Sequence, residues 1–211
     1  MSEASLERLT SPRRRGTSPG NPTKLILASS SKYRAELLER LGVPFTGMAP
    51  DLDESPRPGE TPAHLAQRLA LMKAQAIAAG YPDCWVLGSD QVASSEGRAL
   101  SKPGTRAKAG KQLRSFSGKS LTFYTAVALV NGDRAFTGLD TTIARFRDLD
   151  AAEIERYLDA EPAYDCAGAF KCEGLGISLF SAIETRDPTA LVGLPLITVR
   201  QLLAQAAFFV P

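Results

Sequence analysis

The fold is decided by the stretch Lys24-Leu-Ile-Leu-Ala-Ser-Ser-Ser-Lys-Tyr-Arg34, which continues as Ala35-Glu-Leu-Leu-Glu-Arg-Leu41. Its apolar residues 25–28 predict a short buried strand, and the leucines that follow the serines recur with helical spacing. Ser31 is the predicted N-cap of that helix, because a serine hydroxyl accepts backbone N–H groups of the first turn. The stretch therefore predicts a strand, a serine-rich turn and a helix.

This strand–serine–helix arrangement predicts a site for an anion. The first N–H groups of a helix lack partners within the helix, and the helix dipole adds positive potential there. Arg34 lies in the predicted first turn, where its charge opposes the dipole, so its presence needs another reason. A phosphate group bound in front of the helix is such a reason.

The composition, with 44% hydrophobic and 23% charged residues, is that of an ordinary globular protein. The net charge is +2, and four arginines lie within the first fifteen residues, so the remaining chain gives no general nucleic-acid signal. Residues 1–23 are rich in Ser, Arg, Pro and Gly and are predicted to be a disordered basic leader. Three cysteines without CxxC spacing are interpreted as reduced thiols of a cytoplasmic protein.

Later segments predict a mixed sheet with helices. Two long β-rich segments, 121–130 and 134–146, are joined at Asn131-Gly132, which is a strong hairpin signal. Helical patterns are predicted for residues 61–79, 105–116 and 150–159, and from Pro195 onward. A strand is also predicted to resume at residues 177–180. No apolar run is long enough to span a bilayer, so no membrane association is expected.

Several charged residues have positions that suggest chemistry. Asp90 follows the buried strand predicted at residues 84–87, which is a usual position for an active-site acid, although an acid in a turn is the alternative. Glu54 belongs to a proline-rich loop whose carboxylates are either solvated or bind metal. Lys73 lies at the edge of a helix face and either snorkels or points into a cleft. The glycine-rich stretch 164–176 surrounds Lys171 and Glu173 and allows close approach to a ligand or an irregular turn.

These segments together resemble the Maf-type nucleoside triphosphate pyrophosphatases over about residues 24–205. The motifs that carry the resemblance, in order, are Leu27-Ala-Ser-Ser-Ser-Lys-Tyr-Arg34, Asp53-Glu54, Lys73-Ala74, Gly88-Ser-Asp-Gln-Val92, Lys102-Pro103, Tyr164-Asp-Cys-Ala-Gly168 and Val192-Gly-Leu-Pro195. The resemblance implies an α/β fold for residues 24–211: an elongated mixed sheet flanked by helices, in two lobes around a central cleft, similar to the inosine triphosphate pyrophosphatases. It also implies cleavage between the α- and β-phosphates with a divalent cation, Mg2+ or Mn2+.

Within the family, the chain looks like the 7-methyl-GTP pyrophosphatase branch. Tyr33 stands where many relatives have arginine, and Gln91 and Glu173 fit the same branch. The methylated guanine ring carries a positive charge, and an aromatic face attracts such a cation by about 0.5–2 kcal/mol. A carboxylate such as Glu173 can accept from the guanine N–H groups while offsetting that charge. Tyr33, Gln91 and Glu173 are therefore predicted to determine specificity.

The resemblance also implies roles for the remaining site residues. Asp90 is the predicted general base for the attacking water, or else it holds the metal together with Glu54; these two roles stay open. The predicted phosphate ligands are Ser29, Ser31, Arg34, Lys73 and Lys102.

Three other functions remain open. The first is a dTTP or UTP pyrophosphatase of another Maf branch, and the second is a non-catalytic nucleotide-binding regulator of cell division. The third is a nucleic-acid binder that acts through residues 1–23. We expect a nucleotide as the ligand and no nucleic-acid polymer. Salt-dependent binding of nucleic acid that is lost when residues 1–23 are deleted would indicate a nucleic-acid binder instead. The sequence does not determine the oligomeric state, and a homodimer is one alternative.

Overall fold

The structure is a computed structural model that describes residues 24–210, so the predicted leader lies outside the described residues. Within residues 24–210 both strands and helices are distributed along the chain, as expected for an α/β protein. In order they are β1 (Lys24–Ala28), α1 (Lys32–Glu39), β2 (Phe45–Met48), α2 (Pro62–Ala78), β3 (Cys84–Ser95), β4 (Arg98–Ala99), α3 (Arg106–Phe116), β5 (Ser120–Asn131), β6 (Arg134–Phe146), α4 (Ala151–Ala160), β7 (Phe180–Glu184) and α5 (Leu196–Gln205).

The strands form one mixed sheet, which confirms the predicted fold class. Its order is β2-β1-β3-β5-β6-β7, and the short β4 pairs with β3. β1 runs parallel to both β2 and β3, whereas β3, β5, β6 and β7 pair antiparallel. The uninterrupted apolar sequence of β1 suits its position between β2 and β3, because helices cover both of its faces.

The helices divide the molecule into two lobes. In the first lobe, α2 packs on one face of β1 and β3, and α1 and α5 pack on the other face. In the second lobe, α3 and α4 pack with the far ends of β5 and β6 around an aromatic cluster that includes Phe123, Phe146 and Phe170. The predicted cleft lies between the lobes, at the point where β1 ends and α1 begins.

The predicted helix starts are confirmed by their capping bonds. Ser31 Oγ accepts from Arg34 N at 3.4 Å, and Thr61 Oγ1 accepts from His64 N at 3.3 Å. Asp150 and Glu153 form a capping box at the start of α4. No helix among the described residues is both long enough and apolar enough to cross a membrane.

Two details of the predicted structure were wrong. The strand that begins at Cys84 does not end at residue 87, because residues up to 94 continue to pair with β5; Asp90 therefore lies inside β3. Residues Leu175–Leu179 form a 3₁₀ helix, and the strand predicted at 177 begins only at Phe180. Of the two alternatives for Lys73, the structure agrees with the side chain that points into the cleft: Lys73 is buried, with 6% of its surface exposed, and it lines the cavity.

Candidate active site

A cavity of about 920 Å3 lies at the cleft. Its volume is in the range of pockets that enclose small organic ligands. All ten residues predicted to act on the substrate or the metal line it: Ser29, Ser31, Tyr33, Arg34, Glu54, Lys73, Asp90, Gln91, Lys102 and Glu173. The fold therefore brings together residues that are spread over most of the described sequence.

The turn between β1 and α1 forms one end of the cavity. Ser29 Oγ accepts from Ser31 N at 3.1 Å and from Arg34 Nη1 at 3.4 Å. Because Ser29 acts as an acceptor in both contacts, its hydroxyl proton stays available for an anion. The turn thus presents hydroxyl groups, the start of a helix and an arginine to the same space, which suits phosphate oxygens.

Arg34 is half-buried and is held by a residue that is distant in the sequence. Its Nε donates to the backbone carbonyl of Gly193 at 3.0 Å. Burial lowers the pKa of Arg34, whereas the charges of Asp90 and Glu54 act in the opposite direction. Arginine stays protonated in proteins, so the guanidinium contributes a permanent positive charge to the cavity.

Lys73 connects the two carboxylates that were predicted to hold metal. Its Nζ lies 2.6 Å from Asp90 Oδ1 and 2.8 Å from Glu54 Oε1. Lys73 and Asp90 are each 6% exposed, whereas the Glu54 side chain is 56% exposed. Burial raises the pKa of Asp90, and the positive charge of Lys73 opposes this shift. A raised pKa suits a group that must accept a proton.

The residues present fit a divalent cation held jointly by protein and substrate. Glu54 and Asp90 contact the same ammonium group, so both carboxylates face one point in the cavity. Magnesium is usually bound by one or two carboxylates together with substrate phosphates. Within residues 24–210, no group of three or more His, Cys, Asp or Glu side chains is placed to hold a metal ion alone.

The predicted base-recognition residues also line the cavity. Tyr33 is half-buried, and Lys32 Nζ lies 5.2 Å from the centroid of its ring, a contact that the sequence did not suggest. Glu173 is exposed, and its Oε2 accepts from Cys172 Sγ at 3.5 Å. Lys102 is exposed at the cavity wall. These side chains offer an aromatic face and a carboxylate that is open to a ligand.

The side-chain amide of Gln91 is held by the protein through its nitrogen atom. Its Nε2 donates to Thr125 Oγ1 at 3.0 Å, to Ala190 O at 2.9 Å and to Leu191 O at 3.1 Å. The amide hydrogens therefore face protein acceptors, and the amide oxygen is the atom available to a ligand. The sequence motif Val192-Gly-Leu-Pro195, which had no assigned role, lies next to these contacts.

A mixed α/β sheet whose cleft gathers cations, carboxylates and a helix start has the chemistry of a protein that binds phosphorylated ligands. The chain belongs to the Maf family, because the family described as Maf-like protein matches residues 24–206.

Curated relatives agree with this assignment. A protein of Xanthomonas axonopodis pv. citri named 7-methyl-GTP pyrophosphatase is 57% identical over 188 residues, which cover 89% of this chain and 99% of the relative. Relatives with the same name from Albidiferax ferrireducens and Bordetella pertussis are 55% and 50% identical; they match 87% and 89% of this chain and 93% and 94% of their own lengths. Among solved structures, the Staphylococcus aureus Ham1 protein aligns with a TM-score of 0.44 and 14% identity over 60% of this chain and 73% of its own.

Proposed function

We propose that this protein hydrolyses 7-methyl-GTP to 7-methyl-GMP and diphosphate, and so removes a modified nucleotide from the pool. The observation that carries the proposal is the shared cavity, which contains a buried carboxylate, Asp90, together with several cations and the aromatic side chain of Tyr33. The relatives named 7-methyl-GTP pyrophosphatase, at 50–57% identity, support this choice of substrate.

In the proposed mechanism, Asp90 accepts a proton from the water that attacks the α–β phosphoanhydride. A bond forms between the water oxygen and phosphorus, and the bridging oxygen leaves with diphosphate. Lys73 orients the Asp90 carboxylate through its 2.6 Å contact, and Ser29, Ser31 and Arg34 bind phosphate oxygens. Lys102 adds positive charge where the leaving diphosphate gains negative charge.

A divalent cation, Mg2+ or Mn2+, completes the proposal. Glu54 and Asp90 are the residues that would hold it, together with the substrate phosphates. When bound, it supplies charge neutralisation at the phosphate oxygens. If Asp90 holds the cation, Asp90 positions the attacking water, and a solvent molecule accepts the proton instead.

Tyr33 and Glu173 are the proposed specificity residues, with the Gln91 carbonyl oxygen as a further acceptor. The ring of Tyr33 attracts the cationic base, and Glu173 accepts from the guanine N–H groups. The cytoplasmic location and the homodimer stay predictions.

A nucleotide panel tests the proposed function. Diphosphate release is measured with 7-methyl-GTP, GTP, ITP, dTTP and UTP at a fixed magnesium concentration, and again after chelation of the metal. We expect the highest kcat/KM with 7-methyl-GTP and no activity without metal. Preference for dTTP or UTP would indicate another Maf branch, and nucleotide binding without any turnover would indicate a regulator.

A further inference from the structure

The loop of residues 189–195 leads into α5 and contains the motif Val192-Gly-Leu-Pro195, for which the proposed function gives no role. We name residues 189–195 the clamp loop. Its backbone carbonyls accept hydrogen bonds from two side chains that line the cavity, Arg34 and Gln91, and from the buried Ser89. Gly193 O accepts from Arg34 Nε at 3.0 Å and from Ser89 Oγ at 2.9 Å, and Ala190 O accepts from Gln91 Nε2 at 2.9 Å.

Through these contacts the clamp loop fixes the position of the Arg34 side chain. The guanidinium is planar and rigid, so fixing Nε at Gly193 and Nη1 at Ser29 sets the direction of the whole group. Gly193 has a φ of 120°, and a Cβ atom at this position would lie 3.4 Å from Arg34 Nε. Glycine therefore suits both the backbone conformation and the close approach of the arginine.

The clamp loop is fixed in turn by Asp187, a residue that does not line the cavity. Asp187 is buried, with 1% of its surface exposed. Its Oδ1 accepts from Thr189 N at 2.8 Å and from Thr189 Oγ1 at 2.6 Å. Its Oδ2 accepts from Ile197 N at 2.7 Å. One carboxylate therefore joins the start of the clamp loop to the first turn of α5, which follows its end.

Asp187 and Thr189 also replace the missing cap of α5. The N-cap residue is Pro195, and it provides no capping side chain. The first N–H groups of the helix are satisfied by Thr189 Oγ1, which accepts from Leu196 N at 2.9 Å, and by Asp187 Oδ2. A carboxylate at a helix start is also favoured by the helix dipole. Helix α5 and the clamp loop therefore depend on the same buried carboxylate.

We propose that Asp187 is a positioning residue for phosphate binding, which acts through the clamp loop to orient Arg34. The inference rests on the phosphate-binding part of the proposed function and not on the identity of the base. Asp187→Asn replaces one acceptor oxygen by an amide group, which cannot accept from the N–H groups of Thr189 or Ile197. The Gly193 carbonyl then loses its fixed position, and the guanidinium loses its orientation.

The test is a double-mutant cycle on the affinity of the full-length protein for inorganic triphosphate with Mg2+, measured by titration calorimetry. Asp187→Asn is expected to weaken binding about tenfold, since one oriented charge-assisted contact is impaired. In an Arg34→Ala background, the same change is expected to alter affinity by less than about twofold, because the two residues act on one contact. Equal losses in both backgrounds, or no loss from Asp187→Asn alone, overturn the proposal.

Asp140→Asn is the matched control. Asp140 is a buried carboxylate, 3% exposed, that shares Thr185 with Asp187, but its own hydrogen bond comes from Thr185 Oγ1 and not from the clamp loop. It is expected to retain triphosphate affinity within about twofold. A loss as large as that of Asp187→Asn overturns the specific role of Asp187.

Thr189 provides a second route if Asp187→Asn fails to fold. Thr189→Val removes the hydroxyl that contacts Asp187 and Leu196 but keeps the shape, whereas Thr189→Ser keeps the hydroxyl. Loss of affinity in the valine variant with rescue in the serine variant supports the proposal, and equal affinities overturn it. Diphosphate release from 7-methyl-GTP is measured in parallel. If Asp187 and Arg34 are coupled in the mutant cycle but the wild-type protein does not hydrolyse 7-methyl-GTP, the proposed substrate is wrong. If the wild-type protein hydrolyses 7-methyl-GTP but the two residues are not coupled, only the positioning role of Asp187 is wrong.

Discussion

Lys73 Nζ lies 2.6 Å from Asp90 Oδ1, and both side chains are buried at the bottom of the cleft. The pair joins helix α2 to the middle of β3. Since burial raises the pKa of Asp90, the carboxylate is a stronger base than a solvated aspartate, and the ammonium holds it in one orientation.

Asp90→Asn is expected to lower kcat by about 10²- to 10⁴-fold, because the amide cannot accept the proton of water. Nucleotide affinity should change little, since the cradle at Ser29 and Arg34 is unaltered. Steady-state kinetics measures kcat, and titration calorimetry measures nucleotide affinity separately. Asp165→Asn, at an exposed carboxylate of the same cavity, is the control and should retain activity. Wild-type turnover in the Asp90 variant would contradict the assignment.

Tyr33→Leu is expected to reduce kcat/KM for 7-methyl-GTP by roughly 2- to 30-fold relative to GTP, which corresponds to the loss of a cation–π contact. Tyr33→Phe keeps the aromatic face and should keep the preference. Glu173→Ala should shift the preference in the same direction as Tyr33→Leu. Equal losses on 7-methyl-GTP and GTP would argue against recognition of the base by these residues.

Glu60 is expected to tether the loop that carries Glu54 in a pH-dependent way. Its carboxylate accepts from Arg68 Nε at 2.6 Å and Nη2 at 2.8 Å, and these bonds lower the pKa of Glu60 from 4.5 to about 2. Arg68 Nη2 also donates to Ser55 O at 3.0 Å, next to Glu54.

Because the folded-state pKa of Glu60 is depressed, its stabilising contribution is present above pH 4.5 and is lost as the pH falls toward about 2. Glu60→Gln should therefore lower the Tm at neutral pH and flatten the dependence of Tm on pH between these values. It should also raise the magnesium concentration needed for half-maximal activity, because Glu54 loses its support. Glu39→Gln, on the exposed side of α1, is the control. An unchanged Tm profile would show that the tether is not formed.

Gly88→Ala is expected to destabilise the protein by about 1–3 kcal/mol or more, as overpacking does. A Cβ atom at Gly88 would lie 2.8 Å from Ala74 N and also meet the backbone oxygen of Ala70. It would push α2 away from β3 and separate Lys73 from Asp90. Gly47→Ala, in β2, meets nothing within 4 Å and is the matched control. Chemical unfolding measures both, and similar free energies of unfolding would contradict the argument.

The thiols of the cleft are expected to react slowly despite their partial exposure. Burial and then the charge of Glu173 raise the pKa of Cys172 to about 12, and burial and then Asp165 raise the pKa of Cys166 to about 11. Alkylation by iodoacetamide at pH 8 should be at least about tenfold slower than for free cysteine, because the thiolate is the nucleophile. Glu173→Gln should accelerate the reaction of Cys172, as mass spectrometry of labelled peptides would reveal. Reaction at the rate of a free thiol would contradict this expectation.

Local signals in the sequence were sufficient for most elements. Ser31, Thr61 and Asp150 each act on N–H groups within three residues, so their caps were predictable from adjacent residues. The two strands of the β5–β6 hairpin were also predictable, because Asn131-Gly132 specifies a tight turn and Gly132 supplies its φ of 54°.

The errors arose where structure depends on distant partners. Asp90 was expected after a strand, but its position in β3 depends on pairing with Ala126 in β5, which a local pattern does not encode. The choice between the two alternatives for Lys73 also depended on a distant partner, because Asp90 lies on another element. The clamp loop was recognised only as a motif, because its contacts use backbone carbonyls, and these leave no side-chain signal in the sequence.

The strands β3, β5 and β6 contribute to the hydrophobic cores of both lobes, with Trp85 and Ala93 of β3 in opposite ones. The lobes are therefore joined by continuous hydrogen-bonded ladders and not by a flexible connection. Because these ladders run through both lobes, a change in the width of the cleft would require the sheet itself to twist or bend. The two lobes should accordingly unfold in a single cooperative step, since they share the strands β3, β5 and β6.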